Sequence, residues 1–530
     1  MTSIQRRFVS VNGRQVHYRI AGTGPALLLI HQSPQNSRMW TAMMQRYADR
    51  YTVIAPDTPG FGYSDALPGN PMTIAEFGAA TLEFCEAIGL QRFAVFGMHT
   101  GGLIATWLAW ANPARVAALV VDGYAAFTPQ ESALYGDTYL PPFVPQWDGS
   151  HLRWLWSRMR EQKYFFPWYD GRAEAAMGIA PQTTEGTREA VMDVLDVGDS
   201  YRAGYAAAFR HNDHHWVSEL QMPAWLVFRH GDPLLAHMPR LRDLPANVQL
   251  VDEPDGIPAM HVKMDGWLAR ALAAEPPCTV VTPAASPTEW QRRIIDTVAG
   301  DLAVWERAGD GPLRLLLHAP GTRPLSPAQS QAGEGAALLP DLPGHGASCE
   351  SDCELSAEVV VAALLEALHG HPAVLIQAHE VRQPVTCRHW WMRWARVHRA
   401  FACTHRGCSM PTNRRCCWTT CRPPPSIALA AICAMPGSGS ASATCCGRGC
   451  RPAPPHVVAW MHRRLRWCTP TWSSCCVSAA ACTRCCAMPP RRGWPRGCVR
   501  CHYRCRSAPM PNPISRAAPP RCPPDPEGPP

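Results

Sequence analysis

Residues 93–110 read Phe-Ala-Val-Phe-Gly-Met-His-Thr-Gly-Gly-Leu-Ile-Ala-Thr-Trp-Leu-Ala-Trp, and this stretch decides the fold. Phe93–Phe96 is a continuous apolar run, as expected of a parallel strand covered on both faces. Ile104–Trp110 has the character of a helix. Between them, Gly97, Gly101 and Gly102 supply the small residues that a sharp strand-to-helix turn needs. The apex of that turn is His99, whose side chain should stand above the sheet at a helix N-terminus.

The same alternation extends on both sides. Ala26–Ile30, Tyr51–Ala55, Val116–Val121, Trp225–Phe228 and Val248–Val251 read as strands. Met72–Ile88 and a segment around Met264–Ala273 read as helices. Phe8–Val11 and Gln15–Ile20 alternate apolar and polar residues around Asn12-Gly13, which predicts a hairpin. Strands alternating with helices predict an α/β fold with a doubly wound, mostly parallel sheet. The pattern breaks over about 125–217, a stretch rich in Trp, Tyr and Phe. It is expected to form a helical cap, its aromatics being either the cap's own core or the wall of a pocket. Trp154 is taken as a substrate-side candidate.

Five elements now stand in order. They are His31-Gln32-Ser33-Pro34 after a strand, Asp57-Thr-Pro-Gly-Phe-Gly-Tyr-Ser, the Gly97–Gly102 turn, Gly231-Asp232 after a strand, and His261 after the last strand. With them, residues 1–275 resemble the α/β-hydrolase superfamily. The resemblance places the nucleophile elbow, G-x-S-x-G, on the Gly97 turn. It implies an acid at Asp232, a base at His261, and an oxyanion hole from the backbone N–H groups of Thr100 and Gln32. It also implies hydrolysis of a small ester, lactone or related carbonyl compound without a cofactor. Asp57 reads as a loop-securing residue, and His31 as either a loop-fixing or a substrate-side residue.

His99 is the departure from that pattern, because the elbow apex is ordinarily the nucleophile. Four roles are open to it: a nucleophilic imidazole, a group positioning substrate for an Asp232–His261 base, one ligand of a metal held with His31, Asp232 and His261, or the mark of a fold that no longer hydrolyses. The last would make the domain a lyase or a ligand-binding protein. A helix N-terminus disfavours a cation, so the imidazole is expected to be neutral. His211, His214 and His215 form a cluster that reads as a solvated or substrate-facing part of the cap.

Beyond a Pro- and Ala-rich linker, 276–290, the pattern restarts. Residues 292–318 (RRIIDTVAGDLAVWERAGDGPLRLLLH) echo 6–31 (RRFVSVNGRQVHYRIAGTGPALLLIH), and 340–346 (PDLPGHG) echo 56–62 (PDTPGFG). His31 and His318 lie 287 apart and Asp57 and Asp341 284 apart, which predicts a tandem repeat, residues 291–380 being a partial second copy. His379 falls where that copy's apex is expected. No catalysis is expected from this copy.

Composition divides the chain at the same point. From Val381 on there are 23 Arg, no Lys, one Asp and one Glu, and 20 of the 24 cysteines. The first 380 residues carry 27 basic and 40 acidic side chains and four cysteines, as in a reduced cytosolic protein. Residues 381–530 show little periodicity and read as a disordered tail or the translation of a shifted frame in GC-rich DNA. The pairs Cys482/Cys485 and Cys498/Cys501 have close to, but less than, a zinc-ribbon spacing and the basic charge would suit nucleic acid, but 20 cysteines make such pairs easy by chance, and neither a metal nor a nucleic-acid partner is the expectation. No run approaches the 18 apolar residues of a membrane span, and no signal peptide is evident. The expected partner is a small-molecule substrate, with no membrane and no metal.

Overall fold

The computed structural model describes residues 2–69, 73–178, 182–281, 289–330, 332–348, 354–371 and 374–378. The tail from Val381 and the candidate apex His379 therefore lie outside the described residues.

The first domain is built on an eight-stranded sheet. Its strands are β1 (Gln5–Val11), β2 (Arg14–Ala21), β3 (Ala26–Ile30), β4 (Thr52–Pro56), β5 (Phe93–Met98), β6 (Val116–Asp122), β7 (Ala224–Arg229) and β8 (Val248–Glu253), in spatial order β1-β2-β4-β3-β5-β6-β7-β8. β1 and β2 are antiparallel, and β4, β3, β5, β6, β7 and β8 run parallel to one another. This is an α/β-hydrolase fold. The β1–β2 turn puts Asn12 at φ 49° and Gly13 at φ 79°, the left-handed pair that an Asn-Gly hairpin supplies.

Successive strand residues face opposite sides of the sheet. Leu28, Ile30, Val95, Leu119 and Val121 join one core, against α2 (Ile74–Ala87) and α3 (Thr100–Ala111). Leu27, Leu29, Ala94, Phe96 and Val120 join the other, against α1 (Thr41–Tyr47) and α9 (Gly256–Ala271). Burial on both faces explains why these strands read as unbroken apolar runs.

The cap carries α4 (Pro129–Thr138), α5 (Ser150–Glu161), α6 (Thr184–Val197), α7 (Tyr201–Arg210) and the short α8 (His215–Ser218). Most of its aromatics form its own core. The fully buried Arg158 lies against the rings of Tyr139, Trp168 and Tyr201, and Trp154 packs on Phe143 and Trp168. The first part of the linker is tied back to the domain by Cys278 N–H to the Gly24 carbonyl and Val281 N–H to the Ile88 carbonyl.

A five-stranded sheet follows: β9 (Gln291–Thr297), β10 (Gly300–Arg307), β11 (Leu313–Leu317), β12 (Ala337–Pro340) and β13 (Val374–Ala378), with α10 (Ala357–Ala367) against it. Its order, β9-β10-β12-β11-β13, runs as β1-β2-β4-β3-β5 does in the first sheet. Ile30 pairs with Gly97 and Leu317 with Ala378. That register sets Ala378 in the place that Gly97 takes in the first sheet.

Candidate active site

The turn between β5 and α3 is a tight elbow. His99 sits at φ 49° and ψ −112°, a region that costs a non-glycine residue about 1–3 kcal/mol. A Cβ on Gly97 would overlap the Gly101 carbonyl oxygen, and one on Gly101 the Ile30 carbonyl oxygen, so both positions need glycine. α3 therefore starts at Thr100, four residues before the apolar run Ile104–Trp110 reveals it.

The His99 ring lies over Gly123, at φ 74° just after β6. A Cβ there would stand 2.7 Å from Nε2. Nε2 meets Asp232 Oδ2 at 2.8 Å, and the ring is 28% exposed against 6% for the carboxylate. Asp232 caps the turn after β7, its Oδ1 accepting the Leu234 N–H at 2.9 Å. Arg229 donates to Asp122 Oδ1 at 2.6 Å and to Asp232 Oδ2 at 3.2 Å, so it anchors the acid from behind.

These contacts set the charges. Burial raises the carboxyl of Asp232, but the His99 ring, the Leu234 N–H and Arg229 outweigh it and hold the group well below the carboxylate range. Burial would lower the His99 imidazole. Asp232 more than reverses this, and the net shift is upward from 6.5. The helix-end argument for a lowered value fails because a carboxylate at 2.8 Å outweighs a partial charge.

His99 and Asp232 open on a cavity of about 640 Å³ between sheet and cap, whose wall includes Gln32, Thr100, Lys163, Phe166, Arg229 and Ile257. Gln32 and Thr100, the residues expected to supply an oxyanion hole, both line it. Thr100 lies in the first turn of α3, where N–H groups have no partner within the helix. The first helical bond is Leu103 N–H to the His99 carbonyl.

Three expected residues do not join the site. His261 stands in α9, its ring against Tyr47 at 6.3 Å between centroids, and is not part of the cavity wall. The sequence pattern suggests a start for this helix near Met264. It starts at Gly256, because Pro258 is tolerated in a first turn whose N–H groups need no partner. From that stretch it is Ile257 that faces the cavity. His31 is fully occupied as a loop fastener: Nδ1–H donates to the Gln32 carbonyl at 3.0 Å and Nε2 accepts the Thr58 N–H at 2.9 Å. Trp154 belongs to the cap core. The proposed metal ligands thus do not converge, and among the described residues no group of three His, Cys, Asp or Glu side chains is placed to hold an ion.

Asp57 secures its loop, taking His17 Nδ1–H, Ser37 N–H and Tyr63 N–H. In the cap cluster, His211 stacks on Trp216, His214 Nε2–H donates to the Phe127 carbonyl and His215 pairs with Asp213. Lys163 was not anticipated. Burial lowers its amine below the ordinary lysine value, with Asp232 acting in the opposite direction. Being one of two lysines among 48 arginines was its sole trace in the sequence.

Fold and site together define an α/β-hydrolase domain with an altered elbow. Residues 25–256 match the family model of the alpha/beta hydrolase fold, and the domain belongs to that superfamily. It is 35% identical over 127 residues to haloalkane dehalogenase 2 of Mycobacterium tuberculosis, which covers 24% of this chain and 44% of that one. It is 32% identical over 121 residues to a fluoroacetate dehalogenase of Burkholderia sp., covering 22% and 40%. The crystal structure of epoxide hydrolase A from Mycobacterium thermoresistibile is similar with a TM-score of 0.41 and 20% identity, covering 53% of this chain and 100% of that one. The matches span about two fifths of the length of these curated relatives. Among the described residues no helix is long and apolar enough to cross a membrane.

Proposed function

We propose that the first domain is a hydrolase of small esters, lactones or related carbonyl compounds in which His99, held by Asp232, is the working base. The observation that carries this is the 2.8 Å contact of His99 Nε2 with Asp232 Oδ2 at the elbow apex, facing the cavity. With Nε2–H donating to the carboxylate, the lone pair of Nδ1 is left to act. It takes a proton from water as the water oxygen bonds to the carbonyl carbon. The carbonyl electron pair moves onto oxygen, where the N–H groups of Thr100 and Gln32 receive it. Collapse expels the alkoxide, which recovers the proton from Nδ1–H, giving acid and alcohol.

His99 thus takes the proton-transfer role assigned to His261 by resemblance, and Asp232 keeps its own. Lys163 on the cavity wall suits substrates with an acidic end. The dehalogenase names of two relatives fit a small substrate.

The test uses the purified chain, short-chain p-nitrophenyl esters and γ-lactones, with His99→Ala and His99→Ser variants. Turnover by the wild type that falls at least about 100-fold in both variants is expected, since general-base catalysis contributes about 10²–10⁴-fold. No wild-type turnover, with activity gained in His99→Ser, would instead identify a fold that binds ligand or performs non-hydrolytic chemistry.

A further inference from the structure

We infer that the joint between the two sheets is a pseudo-twofold interface between two copies of one unit, and that the face of the first copy around β1 and the Gly62–Ser64 turn is a self-association surface fitted to another copy of itself. The equivalence of the copies rests on atoms. In the first, His17 N–H donates to Ser64 Oγ at 2.9 Å, Asp57 N–H to the His17 carbonyl at 2.9 Å, and Tyr63 N–H to Asp57 Oδ2 at 2.9 Å. In the second, Ala303 N–H donates to Ser348 Oγ at 2.7 Å, Asp341 N–H to the Ala303 carbonyl at 2.9 Å, and Ala347 N–H to Asp341 Oδ2 at 2.8 Å. His31 Nε2 accepts the Thr58 N–H as His318 Nε2 accepts the Leu342 N–H. β-hairpin pairings agree: Phe8 is opposite His17, and Ile294 is opposite Ala303.

With residues matched in this way, the contacts across the joint come in reciprocal pairs. The Arg6 guanidinium approaches Asp301 at 3.7 Å, while the backbone N–H of its counterpart Arg292 donates to Gln15 Oε1 at 3.1 Å, Gln15 being the counterpart of Asp301. Arg6 donates to the Ala347 carbonyl at 2.6 Å, while Arg292 lies over the ring of Tyr63, the counterpart of Ala347. Phe8 and its counterpart Ile294 share one small cluster with Ala303, Ala347 and Tyr63. Reciprocal contact of one patch with its own equivalent is the mark of a twofold interface, in which a surface is complementary to itself. The second lobe thus occupies the place of a partner subunit.

The two main cores of the first domain draw on residues 4–280 alone, so that domain can be tested by itself. Residues 1–281 are to be measured by light scattering after size exclusion at about 10–100 μM, the range in which modest interfaces are populated. The expected result is a dimer mass, reverting to monomer in Arg6→Glu with the cooperative melt kept. A cooperatively melting fragment that stays monomeric overturns the inference. Should the fragment not melt cooperatively, the full chain decides. Charge reversal at Arg6, whose guanidinium bonds across the joint, must lower its Tm by a few degrees, and an unchanged Tm overturns the twofold relation.

Discussion

Asp232→Asn keeps the shape of the acid and removes its charge, so it isolates what the carboxylate does for His99. The hydrogen bond from Nε2 to Oδ2 is 2.8 Å long and its acceptor is 6% exposed, so solvent screens it little. A hydrogen bond to a charged group contributes about 1.5–3 kcal/mol, and about 1.4 kcal/mol is tenfold in rate. The loss in kcat/KM is therefore about one to two powers of ten. The pH profile carries a second reading. A base works in its neutral form, so activity falls as pH drops through its pKa. Burial alone would set that value below 6.5, while Asp232 lifts it above. The acid limb of kcat/KM is expected above pH 6.5 in the wild type and at lower pH in the variant, where burial, Arg229 and the weaker pull of Asp122 remain. The pair also stabilises the fold: the share of His99 is complete below pH 6.5 and fades as pH rises through its raised value, while that of Asp232, whose carboxyl is lowered, is lost in strong acid. The assay is steady-state hydrolysis of p-nitrophenyl acetate by the full chain between pH 5 and 9. An unchanged rate and limb would refute the coupling.

Gly123→Ala puts a methyl group against the His99 ring and an L side chain at φ 74°. Esterase activity should fall by about tenfold or more, since a misplacement of about 1 Å can cost 10²-fold. A variant with wild-type kcat/KM would show that the ring position does not matter. Lys163→Met keeps the bulk of the side chain without its charge. A wild-type preference for monomethyl succinate over dimethyl succinate, read as kcat/KM, should shrink by about tenfold, in keeping with the weight of a charge-assisted contact. A preference that survives in the variant would assign it to another group.

The scaffold was legible because it rests on local periodicity. Ala26–Ile30 and Phe93–Phe96 are buried on both faces, and Asn12-Gly13 is the turn its hairpin demands. Helix starts were read late for a physical reason. Gly101 and Gly102 are poor helix formers kept by the close approach of the Ile30 carbonyl and the Val121 side chain, and Pro258 hides inside a first turn. The site was half legible. His99 and Asp232 stand in local turns that can be recognised one at a time, yet their contact joins residues 133 apart. His261 was misplaced because resemblance supplied a residue type, while the helix register gave the cavity to Ile257. Nothing short of the packed structure shows that Gly123 makes room for the ring or that Lys163 faces the cavity.

The most direct test of His99 as the working base is chemical rescue of His99→Ala by free imidazole. The space left by the ring opens on the cavity and lies against Asp232, so added imidazole should restore ester hydrolysis with saturation, and should do so far less in the His99→Ala/Asp232→Asn double variant. Retention of wild-type activity by His99→Ala without imidazole would contradict the account.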